Sequence, residues 1–129
     1  MLTLSPANRY FLYQEKADMR KGVDGLSGLV RSGLKRDPLS GDIFIFFNRR
    51  HTQVKLLHWE RDGFSIYYKR LERGTYELPV IIDGQSGSAE LRSDELMLIL
   101  QGIDLSSVRR RKRFHFPENK LINNQVVTQ

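Results

Sequence analysis

The stretch that decides the fold runs Ile43-Phe44-Ile45-Phe46-Phe47, then Asn48-Arg49-Arg50-His51-Thr52-Gln53, then Val54-Lys55-Leu56-Leu57-His58-Trp59. After Glu60-Arg61-Asp62-Gly63 it continues Phe64-Ser65-Ile66-Tyr67-Tyr68-Lys69-Arg70-Leu71. The first run is continuously apolar, the second alternates in part, and the third mixes aromatics with Ser65, Lys69 and Arg70. Short aromatic and aliphatic segments bounded by turn residues read as strands. Asp62-Gly63 offers the positive φ angles that a tight hairpin demands, while the loop Asn48 to Gln53 is longer and basic. Residues 39–76 are therefore predicted to form a β-meander.

N-terminal to these strands, Arg9-Tyr10-Phe11-Leu12-Tyr13 reads as a short buried strand. Asp18 offers an N-cap, and from Met19 the apolar positions 19, 23, 26, 29, 30 and 34 fall at helical spacing, with Pro38 as the stop. Gly22, Gly25, Gly28 and Gly33 interrupt that helix, each costing about 1 kcal/mol against alanine in a helix interior. Two readings fit the first three: a stripe without side chains that lets the helix approach another backbone, or a helix weakened at Gly25. On the C-terminal side, Ala89 to Leu91 fits a further short strand. Ser93, followed by Asp94 and Glu95, is the expected N-cap of a second helix that Gly102 ends or bends. The fold class is α+β: a small antiparallel β-meander sheet packed against a glycine-rich helix, plus a second C-terminal helix. Residues 1–105 form the expected single domain and 106–129 a basic tail, the 129-residue length favouring one domain over two.

Charge is distributed in blocks. The net charge of +6 divides into +2 for residues 1–47, +4 for 48–73, −5 for 77–105 and +5 for 106–129. Together with a pI near 9.8 this points to a polyanionic partner. The tail holds Arg109, Arg110, Arg111, Lys112 and Arg113 in succession, cations that repel one another and resist burial. A basic run of this kind suits a nucleic acid, an acidic protein, or the acidic segment 77–105 in the same or a second copy.

Enzymatic chemistry finds little material. There are no cysteines, and His51, His58 and His115 have neither thiol partners nor a metalloprotease spacing, so no metal or other cofactor is expected. Asp18, Asp24, Asp37 and Asp42 each have a structural role ready as cap, helix surface or turn. Gly22 to Gly28 lacks the lysine and hydroxyl of a phosphate-binding loop. No apolar run reaches the roughly 20 residues needed to span a bilayer, and the N-terminus resembles no secretory signal, so an intracellular, cytoplasmic protein with no membrane partner is expected.

Basic side chains interleaved with aromatics form the stronger constellation. Arg49, Arg50, Lys55, Lys69, Arg70 and Arg73 accompany Trp59, Tyr67 and Tyr68, and a sheet of this kind can meet phosphates by charge and bases by stacking. The alternative is a solvated face on which lysine and arginine stems cover aromatic rings. Arg20 and Lys21, close to the expected helix start, oppose its dipole, which suggests an ion pair with Asp24 or a phosphate contact.

Four strings taken in order carry a family resemblance: Asp18-Met19-Arg20-Lys21-Gly22-Val23-Asp24-Gly25-Leu26; Phe44-Ile45-Phe46 with Asn48-Arg49-Arg50; Lys55-Leu56-Leu57-His58-Trp59-Glu60-Arg61-Asp62-Gly63-Phe64; and Tyr68-Lys69-Arg70-Leu71-Glu72-Arg73-Gly74. From about residue 9 to 105 the chain resembles the TnpB, or second open reading frame, proteins of IS-sixty-six-type bacterial insertion sequences. His58 and Leu78 stand where that family more often has aromatics. The resemblance implies a non-catalytic accessory factor for DNA transposition, encoded beside a separate transposase. DNA and that transposase are then the expected partners, with homo-oligomerisation left open. The expected DNA contacts are Arg20, Lys21, Arg49, Arg50, Lys55, Lys69, Arg70, Arg73 and Arg109 to Arg113. An adaptor that binds the transposase through Trp59, Tyr67 and Tyr68, with little DNA contact, is the alternative.

Overall fold

The computed structural model describes residues 3–78 and 88–103. These form β1 (Tyr10–Tyr13), α1 (Val23–Gly33), β2 (Ile43–Phe47), β3 (Gln53–Trp59), β4 (Phe64–Arg70), β5 (Ser88–Leu91) and α2 (Ser93–Gln101). The strands make one sheet in the order β4-β3-β2-β1-β5. The expected α+β class and the meander β2-β3-β4 are both present, with Ile45 opposite Leu56 and Leu56 opposite Tyr67. β1 adds a pairing that a meander does not contain: it lies parallel to β2, Phe11 level with Phe44, with α1 as the crossover between them. β5 closes the other side of β1 antiparallel, Leu12 opposite Ala89.

β2 is apolar at every position because it lies mid-sheet with a core on each face. Tyr10, Leu12, Ile43, Ile45, Phe47, Val54 and Leu56 point to the side where Leu96 and Ile99 of α2 pack. Phe11, Phe44, Phe46 and Leu57 point to the other, against Leu26 and Val30 of α1 and Leu34 at its C-cap. Burying each of these large side chains is worth about 1.5–3 kcal/mol. β4 is the edge strand beyond β3, and it carries the more exposed Ser65, Tyr68, Lys69 and Arg70.

Several local expectations shift. α1 starts at Val23 with Gly22 as N-cap, not from Met19. Asp18 instead caps a loop turn, its carboxylate accepting from the Arg20 backbone N–H at 2.9 Å, while its carbonyl accepts from the Lys21 N–H at 3.0 Å. The helix stops at Gly33, before Pro38, where Leu34 caps it and Lys35 takes a positive φ of 56°. Gly22 and Gly28 face open space, so these glycines do not form a close-packing stripe. At Gly25 a Cβ would stand 2.9 Å from the Lys21 side-chain stem just before the helix, and at Gly33 it would stand 2.6 Å from the Tyr13 ring on β1. In the β3–β4 hairpin the left-handed residue is Arg61, at φ 64°, because the Glu60 N–H closes onto the Gly63 carbonyl across a four-residue loop. α2 takes Arg92 rather than Ser93 as N-cap, with Glu95 accepting the Arg92 N–H at 2.8 Å, and ends at Gly102 in the left-handed region.

Candidate nucleic-acid interface

Because β1 and β2 are parallel, the segments that follow them emerge at the same end of the sheet. The loop after β1 is fastened there by the Ala17 N–H, which donates to the Phe47 carbonyl at 2.9 Å. The turn after β2 is built by Asn48: its side-chain oxygen accepts from the N–H groups of Thr52 and Gln53 at 2.8 and 2.9 Å, and its amide donates to the Thr52 hydroxyl. His51 takes φ 57° and sets its ring against the edge of Phe47. Between loop and turn lies an open cleft of about 840 Å³. Among the described residues, Lys16, Arg20, Lys21, Arg49 and Arg50 line it with one carboxylate, Asp18; Ala17, Met19 and Leu29 supply apolar lining, and Gln53 and Tyr68 complete the wall.

Lys55 joins the two sides. It lies on the α1 face of β3, its ammonium donating to the Lys21 carbonyl at 2.9 Å and lying 5.4 Å from the centre of the Tyr68 ring. Tyr68, opposite Lys55 across the β3–β4 ladder, donates its hydroxyl to the Gln53 side-chain oxygen at 2.5 Å and is 48% exposed. The single acid is spoken for: Arg20 grips Asp18 with Nη2 at 2.7 Å and Nε at 3.0 Å. That hydrogen-bonded guanidinium, with smaller help from Lys21, holds the Asp18 carboxyl well below the usual carboxylate range. Arg49 and Arg50 have no carboxylate partner among the described residues.

Of the residues expected to meet DNA, the fold thus brings Arg20, Lys21, Arg49 and Arg50 onto one cleft. Lys55 stands behind it, its ammonium already donating to backbone. Arg70 shares the Tyr68 face, level with Gln53, and lies 3.7 Å from Glu72. Arg73 follows on the segment that runs back along the turn, where Leu71 N–H donates to the Thr52 carbonyl and Tyr76 N–H to that of His51. Lys69 points to the opposite face, beside Val54. Arg109, Arg110, Arg111, Lys112 and Arg113 lie outside the described residues. The aromatics expected to meet a protein partner separate: Tyr67 packs against the core on the α2 side, and Trp59 sits edge-on to Phe64 at the far end of β3, roughly 20 Å along the strand from the cleft. Only Tyr68 is at the cleft. Lys16, Asn48 and Gln53 were missed in the sequence, since nothing in their spacing tells that a loop after β1 will meet a turn after β2. His58 is half-buried opposite Ser65 and Ile43, and Leu78 packs on the core.

Residues 8–110 match the family described as IS66 Orf2-like proteins. The chain belongs to that family. The residues that line the cleft, and the strands and helices that hold them, all fall within the match. Members are insertion-sequence-associated accessory proteins of a non-catalytic type. Two relatives come from Sinorhizobium fredii strain NGR234. The uncharacterized protein y4jC is 32% identical over 111 residues, covering 86% of this chain and 92% of the relative. The uncharacterized protein y4hO is 30% identical over 96 residues, covering 74% and 81% respectively. No solved structure matches. Among the described residues no cluster of three or more His, Asp or Glu is placed to hold a metal ion, and no helix is long and apolar enough to cross a membrane.

Proposed function

We propose that this accessory protein binds DNA of its insertion sequence in the cytoplasm, without cutting it, and helps a separate transposase to engage that DNA. The observation that carries the reading is the convergence of five cations from two loops on one concave surface where, among the described residues, the single carboxylate is already paired. Such a surface offers phosphates a favourable potential from several directions at once. Arg70 and Arg73 extend it along the same end of the sheet, and the basic run Arg109 to Arg113 adds further phosphate contacts.

The test is a fluorescence-anisotropy titration of the full chain with labelled duplex from the element's end and with a scrambled duplex, at low and at physiological salt. Binding at low salt that weakens steeply as salt rises is expected, since each phosphate neutralised releases counterion. No binding to either duplex at low salt overturns the proposal. Co-purification of the transposase with the nuclease-treated protein tests the partner; its absence removes the transposase from the reading and leaves the DNA.

A further inference from the structure

The cleft has a feature that phosphate binding alone does not need. A duplex keeps its base faces stacked on one another, so a surface that met only duplex phosphates would have no use for an aromatic ring set among the cations. Tyr68 is such a ring, 48% exposed at the cleft wall, and it is fixed in two ways. Its hydroxyl donates to Gln53 at 2.5 Å, and the Lys55 ammonium stands 5.4 Å from its centroid. An exposed side chain anchored at its tip and backed by a cation has already lost the rotamer freedom that a stacking partner would otherwise remove. The apolar side chains of Met19 and Leu29 line the same cleft. Its volume of about 840 Å³ falls in the range of pockets that enclose small ligands.

We propose that the cleft holds unpaired deoxynucleotides: a base stacks on Tyr68 and the flanking phosphates lie against Arg49, Arg50 and Lys21. Aromatic platforms lined by cations are how single strands are held without sequence readout. The inference rests on the DNA-binding reading above and narrows it to melted or single-stranded DNA. Lys55 and Gln53 act here as positioning residues for the ring.

The test compares one oligodeoxynucleotide, its duplex form and the oligoribonucleotide of the same sequence, binding the full chain and the variants Tyr68→Ala, Tyr68→Phe and Arg49→Ala/Arg50→Ala. Tyr68→Ala is expected to weaken single-strand binding roughly 5- to 150-fold, the loss of one stacked base, and to leave duplex binding within about twofold. Tyr68→Phe keeps the ring and should bind the single strand within a few-fold of the parent chain; its thermal melt, with that of Tyr68→Ala, shows that both fold. The arginine pair should weaken both forms. A 5-iodouracil oligodeoxynucleotide should photocrosslink to the peptide Asp62 to Lys69 at Tyr68. Equal losses for single strand and duplex in Tyr68→Ala, no loss in either, or tighter binding of the ribonucleotide would overturn the inference while leaving DNA binding intact. Failure of the parent chain to bind any DNA would overturn the functional reading itself.

Discussion

Lys55 fastens the loop that carries Arg20 and Lys21 to the sheet that carries Tyr68, and its sequence gives no hint of this. In the chain it reads as one more cation on a strand; in the fold it donates to the Lys21 carbonyl and faces the Tyr68 ring. Lys55→Met keeps the stem and removes the ammonium. It is expected to cost about 1 kcal/mol of stability, the net worth of a part-buried hydrogen bond, measured by urea denaturation. Its DNA affinity should fall about as far as that of Arg49→Ala, although the ammonium itself touches no phosphate; unchanged affinity would show that the loop stays in place without it. Asp18 has the opposite sign. Because its carboxyl is held below the ordinary range by Arg20, the charge and the pairing it allows are fully present above ordinary carboxylate pH and are lost only as pH falls through the lowered value. The cleft's negative charge therefore persists throughout mildly acidic conditions. Asp18→Asn keeps the oxygen that caps the Arg20 N–H but frees the guanidinium, and should tighten DNA binding about 2- to 5-fold at low salt, an effect that fades at high salt as screening takes over.

Two glycines of α1, Gly28 and Gly33, behave differently, and spacing alone could not tell them apart. Gly28 faces open space in mid-helix, so Gly28→Ala should raise stability by about 0.5–1 kcal/mol through helix propensity. At Gly33 an added methyl would stand 2.6 Å from a Tyr13 ring that also packs on Phe46, so Gly33→Ala should lower stability by about 1–3 kcal/mol. Thermal melts of the two variants check both signs. The apolar periodicity placed the helix correctly but not its start. Met19 belongs to the pattern because it packs under the loop against the α1-side core, not because it is helical. Arg20 and Lys21 precede the first helical residue for the same reason, and the apparent conflict with the helix dipole becomes a loop contact with Asp18. The meander was legible because Ile43 to Phe47 is apolar at every position and both hairpin partners follow within a short span of chain. The Asp62-Gly63 pair announced a hairpin, yet the positive φ fell on Arg61, since loop length rather than residue preference set where the backbone had to reverse.

At the scale of the whole molecule, the parallel pairing of β1 with β2 creates the site. Local sequence cannot announce it: a four-residue strand with apolar residues on both faces fits a parallel or an antiparallel neighbour equally well, and only the crossover through α1 decides. Once it forms, the loop after β1 and the turn after β2 share one end of the sheet, and cations some 30 residues apart in sequence line one cleft. Arg20, Lys21, Arg49 and Arg50 could be named as candidates from composition and resemblance, but not as neighbours. For the same reason Trp59, Tyr67 and Tyr68, close along the chain, end on separate parts of the surface. Whether this cleft grips phosphates is read from the salt dependence of DNA affinity for the parent chain and for Arg49→Ala/Arg50→Ala. If both arginines contact phosphates, the plot of log affinity against log salt concentration should become shallower by about 2 on duplex DNA, with weaker binding at low salt. The same slope and the same affinity in both proteins would contradict it.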